Sequence, residues 1–172
     1  MRRVPGHGGG AHGRTSGAAG AGTILDLTWI TDRIALGGGI WNEANMLEVV
    51  RQGVTHIVDM QIEFDDTRLA APYEVKVLWN PVDDDFEPKS SQVFERGVNF
   101  AQAALSQNEE HKIFVHCAAG VHRAPMMTLA ILGAMGWDLK DAMQSIQSKR
   151  PVVDWADVYV SSVKRYLNGH RA

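Results

Sequence analysis

One stretch of this chain constrains the rest: His116-Cys117-Ala118-Ala119-Gly120-Val121-His122-Arg123-Ala124-Pro125. It contains the only cysteine among 172 residues. The apolar run Ile113-Phe114-Val115 leads into it, and an apolar, helix-forming run begins at Ala124-Pro125. A strand, a tight loop and a helix start make a cradle for an anion. Successive backbone N–H groups converge, and the helix N-terminus adds about half a positive charge. A cysteine at the floor of such a cradle is placed to react as its thiolate. Arg123 can close the ring with a planar fork of donors. The expectation is a phosphate site with a nucleophile in it.

The flanking sequence supplies a frame for that site. Residues 1–22 hold eight of the 17 glycines, three arginines and no acid, and read as a flexible tail. From residue 23 the composition is that of one folded domain. Short strands are predicted at 25–29 and 34–36, then a glycine break at Gly37-Gly38-Gly39. Asn42 is placed to cap a helix ending at Gly53. A β-branched strand at 55–60 precedes an acidic loop, 61–72, and a further strand at 74–79. The acidic, proline-bracketed loop Asn80–Pro88 follows. A long helix from Ser90 or Ser91 to about 107 leads back to the strand before Cys117. Three helices close the chain: from Pro125, from an Asp138 cap, and from an Asp154 cap. Early strands separated by helices, with a helical C-terminal third, predict an α/β domain whose mostly parallel sheet has about five strands. Asp59, at a strand end, reads as structural. Trp41, Trp79, Trp137 and Trp155 read as core or rim packing, and Arg150 as a helix-end cation, with pairing to an acid near the site as the alternative.

With His before the cysteine, Gly120 third after it, Arg123 sixth after it and an aspartate loop roughly thirty residues upstream, the chain resembles the cysteine-dependent dual-specificity phosphatases. The resemblance spans about 25–167. It implies that Cys117 attacks phosphorus, that Arg123 chelates phosphate oxygens, and that the N–H groups of Ala118, Ala119, Gly120, Val121, His122 and Arg123 bind the rest. An aspartate would protonate the leaving oxygen and then activate water. His116 resembles the family histidine that shapes the loop. The family aspartate lies three residues after a proline, which selects Asp84. Counting back from Cys117 by a separation common in the family gives Asp85 instead. The segment Phe94-Glu95-Arg96 favours Asp84, which is the expectation, with Asp85 and Asp83 as alternatives.

One position departs from the family. A hydroxyl residue usually follows the arginine, and here Ala124 does. The loss of a hydrogen bond to a charged sulfur, ~1.5–3 kcal/mol, predicts slower breakdown of the phosphoenzyme. Ala124-Pro125 is similar to the plant-type glucan phosphatases, so a glucan or other non-protein phosphatase is an alternative. A phosphate-binding pseudophosphatase is the alternative from another class. Rhodanese-like sulfurtransferases explain neither the aspartate loop nor the preceding histidine. Low-molecular-weight tyrosine phosphatases place the motif near the N-terminus.

Charge narrows the substrate. With 17 basic and 20 acidic residues the net charge is −3, and without the tail it is −6. That is no footprint for nucleic acid. Ala118, Ala119 and Val121 are small and uncharged, whereas phosphoinositide phosphatases of the superfamily usually carry lysines there. His122 is a rim residue that could contact substrate. The resemblance implies phosphotyrosine in proteins as the expected substrate, with phosphoserine and phosphothreonine next. No metal, cofactor or membrane association is expected. A lone cysteine fits a reducing compartment, so the expected location is cytoplasmic.

Overall fold

The computed structural model describes residues 24–170, so the Gly-rich segment before them lies outside the described residues. Five strands form one sheet: β1 (Leu27–Trp29), β2 (Ile34–Gly37), β3 (His56–Gln61), β4 (Lys76–Val82) and β5 (Ile113–His116). The order across the sheet is β1-β2-β5-β3-β4. Only β1 runs antiparallel to its neighbour. This is the α/β architecture expected, with β5 at its centre. β5 is buried along its whole length, and Ile113, Phe114 and Val115 are apolar on both faces before His116 ends the strand.

Helices cover both faces. On one side α3 (Ser91–Gln107), α4 (Arg123–Ala134), α5 (Leu139–Lys149) and α6 (Asp157–His170) enclose the larger core with Val58, Met60, Ile113 and Val115. On the other, α1 (Glu43–Arg51) packs Met46 and Val49 against Ile57 and Phe114. The alternation along β3 and β5 sends successive side chains to opposite cores. α4 is buried along most of its length and apolar nearly all round, the pattern of a central helix.

Local signals worked where the chemistry is local. Asn42 accepts from the Asn45 N–H and Asp138 from the Asp141 N–H, both 2.9–3.0 Å, as capping requires. Gly53 and Gly136 end helices with positive φ. Three expectations are corrected. The acidic loop contains a short helix, α2 (Thr67–Ala70), and a 3₁₀ turn, Ala71–Tyr73. β4 runs on through Pro81, which is tolerated because β4 is an edge strand. α6 starts at Asp157, not after Asp154, whose side chain bonds His122 instead.

The parallel strands β2, β3, β4 and β5 all finish at one edge of the sheet. Segments leaving those ends supply Gly37–Gly39, Glu63, Asp84 and Cys117. An open α/β sheet places its site at this edge, because loops diverge there and leave a crevice.

Candidate active site

The loop after β5 is held from outside by its carbonyls. Five successive ones each accept a hydrogen bond from the scaffold. His116 Nδ1 donates to Cys117 O (3.3 Å) and the Gly39 N–H to Ala118 O (3.0 Å). Arg150 donates Nη2–H to Ala119 O (3.2 Å) and Nε–H to Gly120 O (2.9 Å), and the Asp154 N–H reaches Val121 O (3.1 Å). With the carbonyls bound outward, the amide N–H groups are left for the inner side. Gly120 N–H and Ala124 N–H converge on Cys117 Sγ at 3.2 and 3.4 Å. The thiol sits at the N-terminus of α4 and is 2% exposed.

Gly120 adopts φ +67°, in the left-handed region that favours glycine. A Cβ there would stand 2.5 Å from Arg150 Nη2 and 2.6 Å from the Gly37 carbonyl carbon. The predicted break at Gly37–Gly39 is therefore a close approach of β2 to the cysteine loop, not only a turn. Arg150 differs from its expected role as well. It is buried, and its fork pairs with Asp26 at 2.6 and 2.7 Å while it binds the loop carbonyls. Neither Gly37 nor Arg150 is marked by spacing, because both act through contacts distant in sequence.

Arg123 is buried beneath the same loop. Nη1 and Nη2 meet Glu63 Oε1 and Oε2 at 2.7 and 3.1 Å, and Nη1 also reaches Val82 O at 3.0 Å. Burial opposes its charge, but the Glu63 hydrogen bonds and the negative charges of Cys117, Glu63 and Asp84 outweigh it and hold the guanidinium protonated. Arg123 Nε is buried and has no partner among the described residues. A buried cationic donor left unpaired is costly unless a ligand satisfies it. Glu63 is not marked by the sequence, because it lies in the acidic loop 61–72 beside Asp65 and Asp66.

The three aspartates of the β4–α3 loop separate clearly. Asp85 turns to Lys89 Nζ and the Glu87 N–H, and Lys89 first among these holds its carboxyl below the usual range. Asp83 is exposed. Asp84 alone faces the cysteine loop. Its Oδ1 accepts from the Tyr159 hydroxyl at 2.8 Å, and its Oδ2 lies 3.1 Å from His122 Nδ1. The Phe86 N–H donates to the Tyr159 oxygen and the Lys89 N–H to Ser162 Oγ, both at 3.0 Å, which pins the loop to α6. Burial, then the bond to Asp84, pushes the Tyr159 hydroxyl up to about 12, so it remains a donor.

Behind Cys117, His116 is fully buried between Cys117 O and Asp66. Burial lowers its affinity for protons, but the bond to Asp66 and the charges of Asp66 and Asp59 more than offset this, and the imidazole is raised. Asp59 accepts from the Gln61 and Asp66 N–H groups. Burial pushes its carboxyl up to about 7, against the pull of His116. Asp59, Asp66 and His116 lie close enough to share an ion. The backbone N–H groups on both Asp59 oxygens favour its charged form and offset only part of the effect of burial. Asp59 is thus structural, as expected, and Asp66 is its unforeseen partner.

This architecture and this loop define a phosphatase catalytic domain. Residues 41–168 match the family "Dual specificity phosphatase, catalytic domain", and the chain belongs to it. Protein phosphatase Slingshot homolog 3 of Mus musculus is 31% identical over 119 residues, 67% of this chain but 17% of that protein. Protein tyrosine phosphatase type IVA 2 of Mus musculus is 32% identical over 106 residues, 60% of this chain and 61% of that one. The fold is shared with PTPMT1 in complex with PI(5)P (TM-score 0.74, 18% identity, 85% and 99% of the chains). It is shared also with human DUSP28 (TM-score 0.72, 24% identity, 87% and 97%).

Proposed function

We propose that this chain hydrolyses phosphate monoesters through a cysteinyl-phosphate intermediate on Cys117. The observation that carries the reading is the sulfur itself: two backbone N–H groups at a helix N-terminus converge on it, with the unpartnered Nε of Arg123 beneath the same loop. Donors aimed inward before a ligand arrives need no reorganisation as charge moves onto phosphate oxygens.

In the first step Sγ bonds to phosphorus and the phosphorus–oxygen bond to the leaving group breaks. Asp84 delivers a proton to that oxygen. In the second step water attacks phosphorus, Asp84 takes its proton, and the sulfur leaves as thiolate. Asp84 is preferred to Asp85 because Asp85 is engaged by Lys89 on the far side of the loop. Arg123 chelates the phosphate through Nε and part of its fork, and Glu63 holds that fork in place. His116 shapes the loop from behind. Residues 23–172 form the domain that carries this activity.

Phosphotyrosine in proteins is the substrate class best supported, with phosphoserine and phosphothreonine next. Glu63, Asp83, Asp84 and Asp154 make the surroundings of the loop acidic, and its side chains Ala118, Ala119 and Val121 offer no cation. A single phosphate held by backbone donors suits this rim. A phosphoinositide such as that bound by PTPMT1 would bring further negative charge to it.

The purified chain is expected to hydrolyse p-nitrophenyl phosphate in the presence of a chelator, and Cys117→Ser is expected to abolish that. Hydrolysis that survives Cys117→Ser would overturn the mechanism, and an inactive wild type that still binds phosphopeptides would favour a binding module. A panel of phosphopeptides, phosphoglucans and phosphoinositides then ranks the substrate classes.

A further inference from the structure

His122 occupies the last position before Arg123, and its ring lies between two carboxylates. Nδ1 is 3.1 Å from Asp84 Oδ2 and Nε2 is 3.0 Å from Asp154 Oδ2. A neutral imidazole has one N–H and one lone pair, so it can donate to only one of them. The second contact requires a further proton, on the ring or on a carboxylate. Imidazole is the stronger base by roughly 2–3 pK units in water, which favours the ring. The contact therefore stores one exchangeable proton between Nδ1 and Oδ2.

The surroundings leave that proton one productive route. Asp84 Oδ1 already accepts from Tyr159, whose hydroxyl keeps its proton at neutral pH. The Phe86 ring meets His122 edge-on at a centroid distance of 5.0 Å and covers that side. The charged and titratable groups around the ring are Asp84 from the β4–α3 loop, Asp154 from the segment before α6, Tyr159 from α6, and Cys117 and Arg123 from its own loop. Asp154 is 71% exposed, so the outer end of the chain of contacts touches solvent.

We propose that His122, clamped by Asp154, is the proton reservoir of Asp84. The inference rests on the reading of Asp84 as the general acid. When the sulfur–phosphorus bond forms and the leaving group departs, the Nδ1 proton passes to Asp84 Oδ2 and on to the leaving oxygen, so Asp84 ends this step ionised. His122 becomes neutral and keeps Nε2–H on Asp154. When water attacks the cysteinyl phosphate, its proton goes to Asp84 and returns to Nδ1 as the phosphorus–sulfur bond breaks. No proton is gained or lost over the cycle. His122 acts through Asp84 and is a positioning residue. Its consequence is an acid pair, Asp84 with His122, that keeps its proton to higher pH than an isolated carboxyl would.

The test compares His122→Gln and Asp154→Asn with the wild type. With phosphotyrosine, the alkaline limb of kcat/KM is expected to move to lower pH by about one unit in His122→Gln. The rate loss should be larger for phosphotyrosine than for p-nitrophenyl phosphate, whose leaving group needs less help from an acid. Nitrogen-15 NMR of the His122 ring reads the same coupling without turnover. Protonation of both ring nitrogens should persist to higher pH in the wild type than in Asp84→Asn or Asp154→Asn. A His122→Gln profile superimposable on the wild type, or a ring titration indifferent to Asp84→Asn, overturns the proposal. Failure of the phosphatase reading looks different: hydrolysis survives Cys117→Ser.

Discussion

For the proposed chelation of phosphate by Arg123, the residues that hold its guanidinium set the geometry. Glu63 occupies Nη1 and Nη2 while Nε stays free. Two functions are combined in that pair: it fixes the plane of the guanidinium, and it offsets a buried charge when no anion is bound. Glu63→Gln keeps the shape and removes the charge, so Arg123 loses its fixed partner. The variant is expected to lower kcat/KM for p-nitrophenyl phosphate by roughly 10-fold, the effect of one charge-assisted hydrogen bond. Steady-state kinetics checks this, and a variant faster than wild type would mean that Glu63 competes with substrate instead. Ala124, by contrast, is wholly buried and meets the sulfur through its N–H, so the missing hydroxyl leaves one backbone donor in place.

At the scale of the element, the cysteine loop is shaped by what lies behind it. Arg150 reaches Ala119 O and Gly120 O while paired with Asp26, and Gly37 packs where a Gly120 Cβ would fall. These contacts hold the carbonyls outward, which leaves the N–H groups on the inner side. Arg150→Met keeps much of the apolar stem and removes the donors. It is expected to cut kcat by ~10–100-fold with a smaller effect on Tm, the effect of about 1.5–3 kcal/mol from one charged donor lost to the loop carbonyls. Kinetics together with a thermal melt checks this, and an unchanged kcat would show that the loop keeps its shape without Arg150. Gly120→Ala combines an unfavourable φ with a clash against backbone and is expected to destabilise the fold by about 1–3 kcal/mol, read from a urea transition.

For the whole molecule, buried titratable groups shape stability against pH, and they oppose one another. Asp59 keeps its proton in the folded state up to about 7 but releases it near 3.8 when unfolded. The native state binds more protons across that window, so this group makes stability fall as pH rises. His56, buried against Phe100 and near His111, is lowered from 6.5 to about 4, first by burial. The unfolded state binds more protons there, so this group makes stability rise with pH. The two nearly cancel between about 4 and 6.5. His116, raised in the fold, adds a decline above 6.5. Urea midpoints of the wild type should vary little between pH 5 and 6.5, while His56→Gln should be less stable at pH 6.5 than at pH 5. A midpoint for the variant that rises over that interval would refute the assignment.

Much of this was legible from short-range rules. Cys117, Gly120 and Arg123 share one loop, and their spacing is fixed by the turn of chain between β5 and α4. Helix caps at Asn42 and Asp138 read correctly because a cap is an interaction over three residues. The α/β class followed from the alternation of apolar runs. The family offset points to Asp84 among Asp83, Asp84 and Asp85, but residue type alone does not, since neighbours of one type differ only in what each meets across space. Tyr159 and His122 make that difference for Asp84, and Lys89 makes it for Asp85. The chemistry on offer can be read from the chain alone: one thiol, one arginine at the right distance and two acidic loops. Which carboxylates lie beside the loop is set by the fold, which brings Glu63 to Arg123 and both Asp84 and Asp154 to His122. Those pairings join segments dozens of residues apart and depend on the edge at which four parallel strands end together.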